Sequence, residues 1–412
     1  MSTSPPPPED EPRLRDLVAA HDRWRGEETF NLLPSENALS PRARGYLSSD
    51  LAGRYTLPVP TGFHGETLDN SYAGTRYADA IEQLADAAAR RLFRARRATT
   101  RPLSGHIAAM SVLAPLLPRG ASYLAIPGPA GGYDGYGPGY LPAVLGHRVR
   151  PLPVAGADAP VAAEVVREEI RRERPDAIVL GQSFFLFPYP LAEIAEEAHA
   201  RDILVLYDAS HVLGLIAGGQ FQDPLREGAD VLFGSTHKSF PGPQGGLVLT
   251  DRDDLFEQIE PALVWRIFDN AHWNRIAALA QTLLEMERFA PDYARLTVAS
   301  ARALGRALSE GGLPMLGEPH GFTASHQIHL DRDGLRARHG LRPGLLARRW
   351  EANHLVTDLV GRLGTAEVTR LGLRPEEMPR LADLLLRSGP GREEVRGEVL
   401  AWRKEYPELR FL

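Results

Sequence analysis

Lys238 lies in the stretch Gly234-Ser235-Thr236-His237-Lys238-Ser239-Phe240-Pro241-Gly242-Pro243, and it is one of only two lysines in a 412-residue chain. The other is Lys404, and of 47 basic residues the remaining 45 are arginines. Where nearly every cation is arginine, a lysine set among Gly, Ser, Thr and His marks a need for an amine that can lose its proton, which a guanidinium does not do. A neutral ε-amine forms Schiff bases with carbonyl groups.

Two other places carry matching chemistry. Asp208 follows the apolar run Ile203-Leu204-Val205-Leu206-Tyr207, and Ser104-Gly105-His106 opens a helical run. A carboxylate at a strand end can pair with a protonated ring nitrogen, and the free N–H groups of a helix start can seat a phosphate. Singly, each has a structural reading: a loop lysine, a turn aspartate, a capping serine. Phosphate seat, ring-nitrogen acid and Schiff-base lysine, in that order along one chain, point to pyridoxal phosphate.

These residues need a frame that brings strand ends together. Short apolar strands are predicted at 122–126, 177–180, 203–207, 231–233 and 246–250, with helical stretches at 161–174 and 191–201 between them. Strands fed by helices imply a mostly parallel sheet covered on both faces, an α/β fold whose ligands gather at the carboxyl ends of the strands. Amphipathic helices are predicted at 14–25, 77–92 and 107–117, and two long ones at 273–289 and 292–311. The organisation read from this is a disordered, proline-rich leader over 1–11, a large domain with its N-terminal arm over 12–290, and a smaller C-terminal α/β domain over 291–412.

Composition narrows the rest. With 43% hydrophobic and 24% charged residues, and no apolar run near the ~20 residues that span a bilayer, a soluble globular chain is expected. A net charge of -6, with arginines interspersed among acids, gives no footprint for nucleic acid. The absence of cysteine excludes disulfides, thiolate metal ligands and thiol nucleophiles. No metal site is expected, and Met1 to Glu11 shows no basic region followed by an apolar segment, so a cytoplasmic location is expected.

The chain resembles the serine hydroxymethyltransferase family of fold-type I pyridoxal-phosphate enzymes over most of residues 30–412. The resemblance is carried by Asn31-Leu32-Leu33-Pro34-Ser35-Glu36-Asn37 with Ser40-Pro41, the Tyr55 segment, Tyr72-Ala73-Gly74, Asp208-Ala209-Ser210-His211, Ser235-Thr236-His237-Lys238 and Gly361-Arg362-Leu363-Gly364-Thr365. It implies a large domain with a mostly parallel, seven-stranded type of sheet between helices. It implies Lys238 as the Schiff-base lysine, Asp208 as partner of the pyridine nitrogen and His211 as neighbour of the ring oxygen. Ser104, Gly105, His106, Tyr133, Ser183 and His237 fall at cofactor-side positions, and Arg362 falls where the family binds the substrate carboxylate. Ser35, Tyr55 and Tyr72 match substrate-side positions, Ser35 and Tyr55 across a subunit boundary, so a homodimer with shared sites is implied.

The departures from the family bear on the reaction. Two residues after Tyr55, where the family has a glutamate that works with the folate-borne one-carbon unit, stands Leu57. The stretch between Tyr55 and Tyr72 is longer and holds His64 and Glu66. Tyr133 replaces a ring-stacking histidine, Gln244 an arginine, and Trp265 to Asn270 a glycine-rich loop, while the loop over 352–360 is shortened. The reading this favours is a folate-independent aldolase or transaldolase that cuts or forms the Cα–Cβ bond of a β-hydroxy-α-amino acid, with an aldehyde as second substrate. Candidate bases for the β-hydroxyl are His211, His106, Glu66 and Tyr55. Alternatives are a tetrahydrofolate-using hydroxymethyltransferase acting on serine or 2-methylserine, an enzyme breaking Cα–H such as a racemase or transaminase, and a non-catalytic assembly partner that keeps the fold.

Overall fold

The computed structural model describes residues 10–57, 61–63, 66–68, 70–154, 156 and 158–412, with backbone alone for 61–63, 66 and 67. Of the expected leader, residues 1–9 lie outside the described residues, while Asp10 and Glu11 open the helix Asp10–Arg23. Among the described residues no helix is long and apolar enough to cross a membrane.

One seven-stranded sheet organises the larger part of the chain. Its strands are β1 (Arg97–Thr99), β2 (Ser122–Ala125), β3 (Arg148–Pro151), β4 (Ala177–Leu180), β5 (Leu204–Asp208), β6 (Val231–Ser235) and β7 (Gly246–Thr250), in the spatial order β1-β7-β6-β5-β4-β2-β3. Only β7 runs against its neighbours, pairing antiparallel with both β1 and β6. Side chains alternate across a strand, and here both faces are covered. Leu124, Ile178, Leu180, Val205, Tyr207, Leu232 and Leu249 enter one apolar core. Tyr123, Val179, Leu206, Phe233 and Val248 enter another on the opposite face. This double burial explains why the central strands read as continuous apolar runs.

The two helices expected to meet near residue 290 are one helix, Trp273–Glu310, which runs through Pro291 without a break. Its first part, including Ile276, Leu279 and Met286, packs into the sheet's core. Its last part, with Ala301, Leu304 and Leu308, packs into a separate core built mainly from 301–402. Phe30 and Leu32 belong to that second core, and Phe30–Asn31 pairs in parallel with Leu355–Val356. A second two-stranded ladder joins Gln327–His329 to Arg362–Gly364, placing His329 opposite Arg362. Ile328 and Leu363 face the second core, so Gln327, His329 and Arg362 project from the other side of this ladder.

The segment after β6 carries Lys238, and it is held from below by the short helix Leu213–Ala217. A Cβ on Gly214 would lie 2.3 Å from the Ser239 carbonyl oxygen and 2.7 Å from the Phe240 nitrogen. Glycine is required there by backbone-to-backbone approach. Gly214→Ala is expected to lose about 1–3 kcal/mol of stability through overpacking. Gly45→Ala, in the helix Pro41–Leu47 with nothing within 4 Å of the new methyl group, is expected to lose nothing or to gain up to about 1 kcal/mol. Urea unfolding midpoints of the two variants, compared with the wild type, check this; equal midpoints would contradict it.

Candidate active site

The carboxyl ends of β4, β5 and β6 converge on one place. Asp208 closes β5 and is buried. Its Oδ2 accepts the Tyr136 hydroxyl at 2.6 Å, and its Oδ1 accepts the Ser210 backbone N–H at 2.9 Å. Both oxygens keep a lone pair for a further partner. Three residues beyond, His211 places its Nε2 3.5 Å from the Lys238 Nζ.

Lys238 is partly accessible, and its amine is pushed down from the usual 10.5 to about 8. Burial is the main cause; Asp208 pulls the other way and Arg362 adds to the depression. The surrounding imidazoles are kept neutral for the same reason. Burial and then Lys238 hold His211 well below its ordinary value, and His237 and His326 are pushed down to about 4. Near neutral pH the pocket therefore holds uncharged imidazoles around one readily deprotonated amine.

A donor-lined cradle lies alongside. The helix Gly105–Leu116 starts at Ser104, whose hydroxyl caps it by accepting the Ile107 N–H at 3.1 Å. A Cβ on Gly105 would stand 2.1 Å from the Ser235 Oγ and 3.1 Å from the Ser210 Oγ, so the helix start faces two hydroxyls. The His237 Nδ1 is buried without a hydrogen-bond partner among the described residues. A helix N-terminus, two serines and an unmatched ring nitrogen suit a phosphate group. With Asp208 for a ring nitrogen and Lys238 for an aldehyde carbon, the residues present fit pyridoxal phosphate. Tyr133, half-buried, bonds through its hydroxyl to the exposed His106 at Nδ1, 2.9 Å away.

The second core contributes Arg362. Its Nε donates to Asp358 at 2.6 Å and its Nη1 to the Ser183 carbonyl at 2.7 Å, while its guanidinium lies over the Phe184 ring at 4.9 Å. Nη2 and one proton of Nη1 remain for an incoming carboxylate. Beside Phe184 and His329 lies a cavity of about 390 Å³, lined also by Gly131, Leu316 and Arg332.

Ser35 is half-buried, in the turn after Pro34, whose carbonyl pairs with His326 Nε2 at 3.1 Å. Asn37, close by, donates to the Lys238 carbonyl and to the Tyr293 hydroxyl, both at 2.9 Å. Tyr55 stands elsewhere: its hydroxyl donates to Asp269 and its ring meets the exposed Tyr72 edge-on at 4.9 Å. Among the described residues no hydrogen bond links that group to Lys238, His211 or Arg362. Burial and Asp269 push Tyr55 up to about 12. Leu57 is 3% exposed and belongs to the interior. The side chain of Glu66, and His64 altogether, lie outside the described residues.

Sequence reasoning did not single out Tyr136, Gln327, His329 or Asp358. Gln327 links His211 Nδ1 at 2.8 Å to His329 Nε2 at 2.9 Å. The available signal was the polar-apolar-polar order Gln327-Ile328-His329, which is that of a strand with one polar face.

Fold and site define a pyridoxal-phosphate-dependent enzyme of the fold-type I class. The chain belongs to the serine hydroxymethyltransferase family, whose sequence profile matches residues 9–339. It is 36% identical to a serine hydroxymethyltransferase of Methanothermobacter thermautotrophicus, over 97% of this chain and 95% of that one. It is 38% identical to the enzyme of the same name from Methanopyrus kandleri, over 96% and 93%. A solved structure of an L-threonine transaldolase from Pseudomonas fluorescens superposes with a TM-score of 0.83 at 25% identity, over 96% of this chain and 90% of that one.

The depressed amine is directly measurable, because a lysine reacts with aldehydes and acylating reagents only when neutral. In cofactor-free protein, labelling of Lys238 is expected to rise with pH to half its maximum near about 8 rather than 10.5, as read by peptide mass spectrometry. A midpoint at the ordinary lysine value would contradict the burial described.

Proposed function

We propose that this chain makes and breaks the Cα–Cβ bond of a β-hydroxy-α-amino acid, with serine as the first donor and tetrahydrofolate as the one-carbon carrier. The observation that carries the reading is the meeting of Lys238 and Asp208, at the carboxyl edge of the sheet, with Arg362 from the second core: a cofactor seat beside a carboxylate clamp. The family assignment and the names of the relatives support serine; they correct the balance of the sequence reading, which favoured folate independence.

Pyridoxal phosphate, when bound, supplies an electron sink for a bond cut at Cα. In this reading Lys238 holds it through its amine, Asp208 faces its ring nitrogen, and Tyr133, Ser183 and His211 border the ring. Ser104, Gly105 and His106, with His237, hold its phosphate. Arg362 clamps the amino acid's carboxylate, aimed by Asp358 and the Ser183 carbonyl. Ser35 lies on the substrate side.

Cleavage also needs an acceptor for the β-hydroxyl proton. Tyr55, at about 12, is no base at neutral pH, and His211 takes a proton only well below its usual range. Lys238, whose amine is pushed down to about 8 in the free chain, can take that proton once the substrate's amino group has replaced it on the cofactor. The working form is read as a homodimer: the helix Asp10–Arg23 buries none of its residues and leaves Leu14, Leu17 and Val18 exposed.

A second reading, transfer between L-threonine and an aldehyde other than formaldehyde, is favoured by one observation: Leu57 places an interior alkyl group where the family's glutamate is expected. Aldehyde release from serine and from threonine, with and without tetrahydrofolate and with a bulky trapping aldehyde, separates the two. Folate-dependent serine turnover is the expected result, with Leu57→Glu increasing it. Threonine cleavage without folate, increased by the trap, would replace the first reading by the second.

Arg362→Leu is expected to lower kcat/KM for either donor by about 10²-fold or more, since two charge-assisted hydrogen bonds are lost. Its bound cofactor should keep the same visible spectrum. An unchanged kcat/KM would remove Arg362 from the carboxylate site.

A further inference from the structure

His211 is joined at Nδ1 to a residue whose two ends are chemically distinct. An amide donates only through nitrogen and accepts only through oxygen. Gln327 presents its Nε2 to His211 Nδ1 at 2.8 Å and its Oε1 to His329 Nε2 at 2.9 Å. With that orientation His211 must offer a lone pair at Nδ1 and carry its proton on Nε2, the nitrogen 3.5 Å from Lys238.

The opposite orientation of the amide is disfavoured by His329. Reversing Gln327 would oblige His329 to accept at Nε2 and carry its proton on Nδ1, which is buried and has no partner among the described residues. A buried ring N–H without an acceptor is costlier than an unused lone pair. His329 is 1% exposed, stands opposite Arg362 in the ladder and lies edge-on to Phe184 at 5.1 Å, with its Nδ1 buried. The amide polarity is thus set from its far end.

Doubly protonated His211 is opposed on every side. Lys238 and Arg362 are cationic neighbours, His326 stacks on its ring with centroids 5.9 Å apart and 16° between planes, and His237 faces it from the lysine segment. Burial is the largest of these effects, and Lys238, Arg362, His326 and His237 follow in the same direction.

We infer that Gln327 is a positioning residue that holds His211 as the neutral Nε2–H tautomer, a fixed hydrogen-bond donor toward Lys238 and whatever is joined to it, with His329 fixing Gln327 in turn. Resting on the reading of Lys238 given above, the consequence is that His211 donates to an electron-rich atom beside the Schiff base and does not act as the proton acceptor.

The test reads the imidazole nitrogens and does not depend on turnover. Holoenzyme labelled at its histidine ring nitrogens, with His211 assigned by a His211→Asn variant, is examined by long-range proton–nitrogen spectra from pH ~5 to pH ~9. The expected result is a protonated Nε2 and a bare Nδ1 throughout. In Gln327→Glu, isosteric but without an N–H, the carboxylate requires a proton on His211 Nδ1 and raises the imidazole's titration by about 1–3 pH units. A wild-type His211 carrying its proton on Nδ1, or titrating near its ordinary value, overturns the inference. So does a Gln327→Glu spectrum identical to the wild type. A second readout is the pH midpoint of the bound cofactor's visible absorbance. It should move in Gln327→Glu; equal midpoints in wild type and Gln327→Glu count against the role. Both proposed donors can fail as substrates while these nitrogens still read as stated, so the two hypotheses fall separately.

Discussion

A primary amine gives up its proton near neutrality only where water is kept from it, and the architecture around Lys238 serves that constraint. The segment 236–240 is not part of the sheet, so its backbone has to be fixed by other means. Gly214 lets the helix beneath approach the Ser239 carbonyl, Asn37 donates to the Lys238 carbonyl, and the Tyr293 hydroxyl donates to the Ser239 carbonyl at 2.8 Å. Three remote stretches of chain thus meet on two consecutive peptide groups. The amine they position is desolvated but balanced, with Asp208 favouring its charged form and Arg362 opposing it.

The same economy of charge holds across the pocket. Arg362 is paired with Asp358, both side chains being largely buried, so the clamp brings little uncompensated charge into the interior. Three buried imidazoles, His211, His326 and His329, lie close by without adding any, because desolvation keeps them neutral. Polarity here is carried mainly by oriented N–H groups and hydroxyls. Such groups stabilise developing charge without reorganising when the reaction occurs.

How much of this was legible in the sequence depended on burial. The central strands were readable within a residue or two because both faces are covered and most positions are apolar. The edge strands Arg97–Thr99 and Arg148–Pro151 were not, since arginines at an edge carry no apolar pattern. The helix Trp273–Glu310 was read as two because Pro291 looks like a stop, whereas packing on both sides carries the helix through it. In the site, Asp208 and Lys238 could be found because strand ends are where ligands gather, and His211 through the family resemblance. Gln327 and His329 could not, because a three-residue strand gives too short a pattern. The pairing of Tyr55 with Asp269 spans 214 positions and leaves no local trace.

The continuous helix has a mechanical meaning. Two halves joined by a loop can swing about it, but here the apolar interior behind Lys238 and the one behind Arg362 are skewered on a single rod of 38 residues. Changing the gap between amine and guanidinium therefore requires flexing that rod. Its compliance is greatest at Pro291, where one rung of the hydrogen-bond ladder is missing. The spacing between the two halves of the substrate's seat is thus governed by the stiffness of one helix, with a notch at the point where it passes from one interior to the other.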